Sequence, residues 1–372
     1  MTIVLIILLW IVAGILVLAA LLPFTKIPFG AVQGLSFPRA QFLGAALICG
    51  ASFAVVYSGG VAAFGVAAMI GVAAIQTVYI IKFTPFWPCQ SVAADQALLA
   101  EKDRHMRLLA ANVKMSNRQY DRLIGLIGDK NPDVAMAIEV DGPWIDALKG
   151  ALSTRFEHWI EVPLDTGYGL CVMSRLPLSE IEIRDLVTEG VPSIRARVTL
   201  PSGQDVRLYV VHPEPPVIDH DTLGRDGEIA LVGMEAAKDP LPAIVTGDLN
   251  DVAWSTTTRR FQRLSNLLDP RVGRGFFNTF SATMPWMRWP LDHLFHDKRF
   301  RLVGMARMPK IGSDHFPMWF EVALANSDAF DADTGDADRE EVAETEEMID
   351  AEKKRDREPI GSDWENDEPS TS

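Results

Sequence analysis

The first 82 residues contain no acidic side chain and only three basic ones, Lys26, Arg39 and Lys82. Within them Ile3–Leu22 is an unbroken apolar run, long enough to cross roughly 30 Å of hydrocarbon as a helix. A cleaved signal peptide is the competing reading. Against it, the run has no basic segment ahead of it, and a second apolar block, Phe42–Ile81, follows. That block is too long for one span and is interrupted at Ser58-Gly59-Gly60. Three spans over 2–22, 40–57 and 61–81 accommodate the region, and Gly65, Ala68 and Gly71 in the third would let helices approach closely. With three spans, the loop bearing Lys26 and Arg39 lies on the same side as Lys82 and everything after it. The positive-inside tendency then predicts a multi-pass protein of the inner or cell membrane with the rest of the chain in the cytoplasm.

Charge divides the remainder. Residues 83–327 hold 27 basic and 31 acidic side chains, whereas 328–372 hold 5 and 18, so most of the net −14 belongs to the tail. A segment so rich in Asp, Glu, Ala, Ser and Thr buries too little apolar surface to offset its chain entropy. Disorder is predicted for 328–372, with Glu340–Arg357 able to form a transient charged helix. Residues 83–104 read as a linker. The slight acidity of the middle region argues against sequence-independent binding of long duplexes. Cys49, Cys89 and Cys171 fall in a span, just past the last span and in a predicted buried strand, and imply no disulfide framework.

The middle region alternates strands and helices. Arg107–Val113 reads as a strand ending at Asn112, followed by a helix over 118–128 with Leu123, Ile124 and Ile127 on one face. Val134–Val140 forms the next strand and a helix near 144–152 follows. Strands are predicted at 158–162, 169–174, 180–185, 193–200 and 205–211, with Pro201-Ser202-Gly203 turning between the last two. A helix over 221–238, a strand over 241–247, a short helix near 257–264 and strands near 291–295, 301–306 and 317–323 complete it. Local pattern alone yields a mixed α and β domain.

Polar residues collect where these strands end. In TGDLND, Thr246–Asp251, the carboxylate of Asp248 and the amide of Asn250 sit two apart and share a face of extended backbone. Asn112 in LLAANV, Glu139 in VAMAIEV, His212 in YVVHPEPP, Asp292 in WPLDHLF and Asp314-His315 in IGSDHFP occupy comparable positions. Any one of them could simply cap a turn or helix. Oxygen and amide ligands without a Cys/His cluster favour Mg²⁺ or Mn²⁺ over zinc. Adjacent strand residues face opposite ways, so with Asp292 pointing into a site His293 points out of it, and Asp314 and His315 cannot project identically.

In this order the strings resemble the endonuclease/exonuclease/phosphatase superfamily, which includes deoxyribonuclease I, apurinic/apyrimidinic endonucleases, inositol polyphosphate 5-phosphatases and neutral sphingomyelinases. The resemblance spans residues 105–325, and GDLN and GSDHFP are its most specific elements. It implies an α+β fold, a four-layer α/β sandwich of two stacked mixed sheets flanked by helices. It also implies roles: Glu139 as principal metal ligand with Asn112 nearby, and Asp248 orienting or deprotonating the attacking water. Asn250 would hold that water or a phosphate oxygen, His315 would be paired with and charged by Asp292, and His212 would contact phosphate. Asp314 would serve a metal or an adjacent turn, and Asn112 a metal or substrate. The chain departs from the pattern at Ile138, where many nucleases carry Gln, and in the HPEPP setting of His212.

Phe276–Pro290 combines Phe276, Phe277, Phe280, Trp286 and Trp289 with Arg274 and Arg288 just before Asp292. Such a loop can stack a base and grip phosphate, or meet lipid headgroups, and Arg288 is its candidate substrate-binding residue. Arg259, Arg260 and Arg263 would add a basic edge, while His105, His158, His220 and His296 have no motif around them. The expectation is a membrane-anchored, divalent-metal-dependent phosphoesterase of phosphodiesterase or nuclease type. Alternatives are a phosphoinositide or sphingomyelin-type headgroup phosphoesterase and a catalytically inactive membrane scaffold. The expected partners are a phosphoester substrate, nucleic acid or phospholipid headgroup, and the bilayer, with no obligate protein partner implied.

Overall fold

An apolar run without charges can satisfy its backbone groups internally only as a helix, and the N-terminal region is built of such helices. The computed structural model describes residues 2–25, 27–325 and 334–363 and divides into two units. The first comprises the chain up to Pro88 with the short segments Pro216–Thr222 and Gly273–Gly275. It contains α1 (Thr2–Leu21), a single turn α2 (Gly30–Gln33), α3 (Arg39–Val56) and α4 (Gly59–Ile80). The three long helices are each long and apolar enough to cross a membrane. Leu16 and Ala20 of α1 pack with Cys49 and Phe53 of α3 and with Met69 and Val72 of α4. Gly65 lies where an added Cβ would come 2.4 Å from the Phe53 ring, whereas Gly71 faces open space, so only the first contributes to close packing. Arg39, expected in a loop, is instead the buried first residue of α3. Its Nη1 donates to Gln76 Oε1 at 2.9 Å and its guanidinium lies 3.6 Å from the Tyr79 ring centre.

The second unit starts with the short helix α5 (Gln96–Ala100). Its strands are β1 (His105–Asn112), β2 (Val134–Ile138), β3 (His158–Val162), β4 (Leu170–Ser174), β5 (Leu178–Asp185), β6 (Pro192–Thr199), β7 (Asp205–Val211), β8 (Ala243–Asp248), β9 (Asp292–His296), β10 (Phe300–Arg307) and β11 (Met318–Leu324). They form a six-stranded sheet in the order β10-β11-β1-β2-β4-β3 and a five-stranded sheet in the order β5-β6-β7-β8-β9. Period-two alternation separates the layers. Leu108 and Ala110 of β1 meet Ile194, Leu208 and Ile244 in the core between the sheets. Leu109 and Ala111 face the other way, onto Leu123 and Ile127 of α6 (Tyr120–Lys130) and Trp144 and Leu148 of α7 (Gly142–Leu152). On the far side, Tyr209, Val211 and Val245 pack against Ile229 and Val232 of α8 (Leu223–Lys238) and Phe261 of α9 (Thr256–Ser265). Helices, sheet, sheet and helices make the four layers of the expected sandwich.

The acidic tail departs from expectation. Over 334–363 it is folded, with α10 (Arg339–Glu352) started by the Asp338 side chain accepting from Glu341 N at 2.8 Å. Ile349, Val342 and Met348 supply an apolar face that packs on Ala230 of α8 and Leu264 of α9. Arg263 forms a bidentate pair with Glu341 and Arg260 lies 3.7 Å from it. The basic edge expected from these arginines is therefore spent on the tail. The rest of the predicted disordered segment, 328–333 and 364–372, lies outside the described residues.

Candidate active site

Strand register brings the polar residues to one place. In the first sheet β1 and β2 run parallel with Asn112 opposite Ile138, so Glu139, the next residue, sits beside Asn112. In the second, parallel β7 and β8 put Val211 opposite Gly247, and antiparallel β8 and β9 put Asp248 opposite Asp292. His212 follows β7 directly. Gly247 is required here: its φ is +146°, and a Cβ would lie 1.9 Å from the Val211 carbonyl oxygen. Glu139 and Asn250 hold left-handed backbone, φ 63° and 51°. For a non-glycine residue this costs on the order of 1–3 kcal/mol and recurs at functional sites.

Asn112 joins the two sheets chemically. Its Nδ2 donates to Glu139 Oε1 at 2.5 Å and to Asp248 Oδ2 at 3.0 Å, while its Oδ1 accepts from Lys114 N at 3.0 Å. Asp248 Oδ1 accepts from Asn250 N at 2.9 Å, and Asn250 Nδ2 donates to Pro213 O at 2.9 Å and approaches His212 Nε2 at 3.3 Å. His212 Nε2 is 3.8 Å from Glu139 Oε1. On the other flank His315 Nδ1 donates to Asp292 Oδ2 at 2.8 Å and its Nε2 faces Asp248 Oδ2 at 3.5 Å. Asn112, Asp248, Asp292, His212 and His315 are all buried.

Burial sets the protonation states and the neighbours select among them. Desolvation pushes the Glu139 carboxyl up to about 8, which the Asn112 hydrogen bond only partly opposes. Desolvation lowers His212 to about 4, so it is neutral. Burial disfavours charge on His315 too, yet Asp292 and Asp248 outweigh it and raise the imidazole to about 10. Asp248 is buried, which works against its charge, but His315 and His212 hold it below its ordinary value. Asp292 is raised, chiefly by burial.

The other sequence candidates sit at the margin. Asp314 is 3.9 Å from Lys114 Nζ and accepts weakly from Ser313 Oγ at 3.4 Å. Arg288 donates to Ser281 O at 3.3 Å and, with Arg307, flanks the Phe316 ring at 5.2 and 4.4 Å. Phe280 stacks with Trp289 and lies 5.0 Å from the His315 ring, whereas Trp286 is 70% exposed. His293 is turned to the structural side, donating through Nε2 to Asp251 O and accepting from Arg271 through Nδ1. Sequence reasoning missed several supports. Thr279 Oγ1 accepts from Asp292 N at 3.1 Å, Ser313 Oγ accepts from His315 N at 3.0 Å, and the buried Tyr168 ring lies 5.6 Å from that of His212. Ser313 stands inside GSDHFP, where the motif could have flagged it; Thr279 and Tyr168 stand in no motif, and only proximity in the fold reveals them.

Among the described residues two groups of side chains could hold a metal ion, Glu139-His212-Asp248 and Asp248-Asp292-His315, with ligand atoms within 4.8 Å of one another in each. The profile of the Endonuclease/Exonuclease/phosphatase family matches residues 109–315. The chain belongs to that family. As a member of the endonuclease/exonuclease/phosphatase family it is a phosphoesterase with an acidic and histidine cluster of metal-binding character. No curated protein matches it in sequence. Among solved structures, D. rerio TDP2 humanized by 14 mutations superimposes with a TM-score of 0.50 at 18% identity, over 59% of this chain and 100% of that one. D. rerio TDP2 complexed with a single-strand DNA product gives 0.50 and 18%, over 59% and 99%. An endonuclease/exonuclease/phosphatase from Beutenbergia cavernae DSM 12333 gives 0.48 and 19%, over 60% and 72%. At such identities the likeness concerns the fold.

Proposed function

We propose that the protein is a membrane-anchored phosphodiesterase of the nuclease type that works with Mg²⁺ or Mn²⁺. The observation that carries this reading is the junction of two arrays at Asp248: the oxygen-rich group around Glu139 and the Asp248-His315-Asp292 line. Among the described residues neither the half-buried Glu139 nor the buried Asp248 pairs with Arg or Lys. Hard oxygen donors in that condition fit a divalent cation. Glu139 and Asp248, positioned by the Asn112 amide that donates to both, would hold it, and the ion would neutralise phosphate oxygens and stabilise charge at phosphorus.

The chain's own groups divide the remaining work. Asp248, kept ionised, orients the attacking water and accepts its proton. His315, kept charged by Asp292, offers Nε2–H to the phosphate oxygen that gains charge, 3.5 Å from the Asp248 carboxylate. Neutral His212 and the Asn250 amide bound the opposite wall and fix the remaining phosphate oxygens. Asp292 orients the imidazole and touches no substrate atom.

A diester of nucleic acid is favoured because the fold is shared with TDP2, seen with a single-strand DNA product, and because Phe280 lies 5.0 Å from the His315 ring and Arg288 lies over the ring of Phe316, the residue after His315. The three apolar helices favour the second reading, a phospholipid headgroup as substrate. Full-length protein in detergent, stripped with chelator and reloaded with Mg²⁺ or Mn²⁺, would be assayed on single- and double-stranded DNA, RNA, bis(p-nitrophenyl) phosphate, phosphoinositides and sphingomyelin. Metal-dependent cleavage of the oligonucleotides is expected. Turnover of headgroups alone would select the second reading, and absence of turnover on every substrate would leave a scaffold.

A further inference from the structure

The loop after β7 carries His212 and then Pro213-Glu214-Pro215, and the Glu214 side chain is only 2% exposed. A carboxylate is tolerated there only with a charged, hydrogen-bonded partner. That partner comes from the far end of the chain. Arg357 Nη1 donates to Glu214 Oε1 at 2.6 Å and Nη2 to Oε2 at 2.7 Å, a bidentate pair. Ile360 N adds a bond to Glu214 Oε1 at 2.9 Å, and Thr188 Oγ1 one to Oε2 at 3.3 Å. The Ile360 carbonyl in turn accepts from the hydroxyl of Tyr168, whose ring lies against His212. The segment 357–360 therefore reaches His212 by two routes, through the backbone of Glu214 and through the ring of Tyr168.

The surroundings are shaped for this contact. At Gly224, in the first turn of α8, an added Cβ would lie 2.1 Å from Glu214 Oε2 and 2.4 Å from Arg357 Nη2. Glu352, buried at the end of α10, sits 3.5 Å from Arg357 Nη2 and accepts from Arg355 at 2.7 Å, which fixes the segment relative to its helix. A merely solvating tail has no need of such an arrangement.

We propose that Arg357 is a positioning residue of the active centre: its grip on Glu214 clamps the loop after β7 and holds His212 against Asn250 and Glu139. The C-terminal segment is then a working part of the site. The kinetic half of this inference rests on the phosphodiesterase reading; the structural half does not.

The test uses the full chain in detergent with Arg357→Ala, Arg357→Lys and, as a control that loosens α10 elsewhere, Arg263→Ala. Arg357→Ala should lower kcat on bis(p-nitrophenyl) phosphate with Mg²⁺ on the order of 10²-fold, with KM little changed, since displacement of a positioned group acts on the reacting geometry. Arg357→Lys keeps the charge and loses the fork, so its kcat should fall between the two. Hydrogen exchange of peptides containing His212 and Tyr168 should rise in Arg357→Ala and stay at the wild-type level in Arg263→Ala. A lower unfolding temperature with wild-type kcat and wild-type protection around His212 and Tyr168 would overturn the proposal, as would equal effects from Arg263→Ala. Should Arg357→Ala not fold, the lysine variant decides: wild-type kcat and protection in it would sink the clamp. Should the wild-type chain cleave no phosphoester, the functional reading fails alone, and the exchange data still settle whether Arg357 orders the His212 loop.

Discussion

Buried carboxylates occupy two kinds of place in the two-sheet domain, and they are matched in different ways. Away from the strand ends most meet a guanidinium, the exception being Glu228 of α8, whose buried Oε1 has no hydrogen-bond partner among the described residues. Asp269 accepts from Nε and Nη2 of Arg271 at 2.9 and 2.8 Å, and Asp239 receives Arg195, Arg207 and the Tyr209 hydroxyl. Asp226 accepts from Arg225, whose Nη1 also donates to the Asn250 carbonyl and so braces the turn after β8. At the strand ends the half-buried Glu139 and the buried Asp248 and Asp292 meet, among the described residues, only imidazoles, amides, a hydroxyl and backbone N–H groups. There, among the described residues, Asp292 Oδ1 and His212 Nδ1 are buried with no hydrogen-bond partner. A carboxylate bound by a guanidinium fork is a completed interaction that stabilises the fold. One left to an imidazole or an amide retains bonding capacity in a dry place, which suits an arriving cation and phosphate.

The sharpest way to break this distinction is at the imidazole. His315→Ala should lower turnover on the order of 10²–10⁴-fold, the range typical of general acid–base groups, and leave folding intact. Asp292→Asn should produce a loss of the same kind, because the carboxylate works by orienting and charging the ring. Acting as a unit, the pair should be non-additive: the double variant should lose little beyond His315→Ala alone. Steady-state kinetics on the four proteins measure this. Multiplying losses would show that Asp292 serves something other than His315.

The reverse behaviour is expected at a completed pair. Arg271→Met strands Asp269 in the interior, which should destabilise the domain by about 3–5 kcal/mol, as for other buried pairs broken on one side. Denaturation followed by circular dichroism reports the loss, and turnover per folded molecule should suffer far less than in His315→Ala. A stable but inactive Arg271→Met would place that arginine with the site rather than the scaffold, acting through its 3.5 Å contact with the Asp292 carbonyl.

How much of this was legible in the sequence depended on whether the signal was local. The alternation in β1 separates Leu108 and Ala110 from Leu109 and Ala111, which is why strand positions and the two apolar faces could be read. Polar residues at the ends of apolar runs were equally visible, since a run that stops at Asn112, Glu139 or Asp248 stops for a reason. The tail was read by composition, which averages over a helix whose few apolar residues, Val342, Met348 and Ile349, lie on one face. Its bond to the site joins Arg357 to Glu214 across 143 positions, and no local pattern encodes such a pairing. Arg39 misled for a similar reason, because its partners Gln76 and Tyr79 lie on another helix.

The smallest of the expected effects tests the deficit of positive charge directly. With its carboxyl pushed up to about 8 by burial, Glu139 holds a proton at neutral pH that an incoming cation must displace. Bound metal favours the ionised form, so apparent affinity should rise with pH, by at most about tenfold per unit, until pH 8 and level off above it. The two imidazoles of the site do not titrate in that window, for His212 is neutral from about 4 upward and His315 remains charged up to about 10. Glu139→Gln keeps the shape and removes both the charge and the proton. It should weaken Mg²⁺ or Mn²⁺ binding by roughly the 10–100-fold that even an outer-shell change costs a metal site, and it should flatten the dependence on pH. Calorimetric titration of the full chain between pH 6 and 9, in buffers of different ionisation heat, reads affinity and proton release together. Binding that is as tight and as pH-dependent in Glu139→Gln as in the wild type would move the cation to another set of ligands.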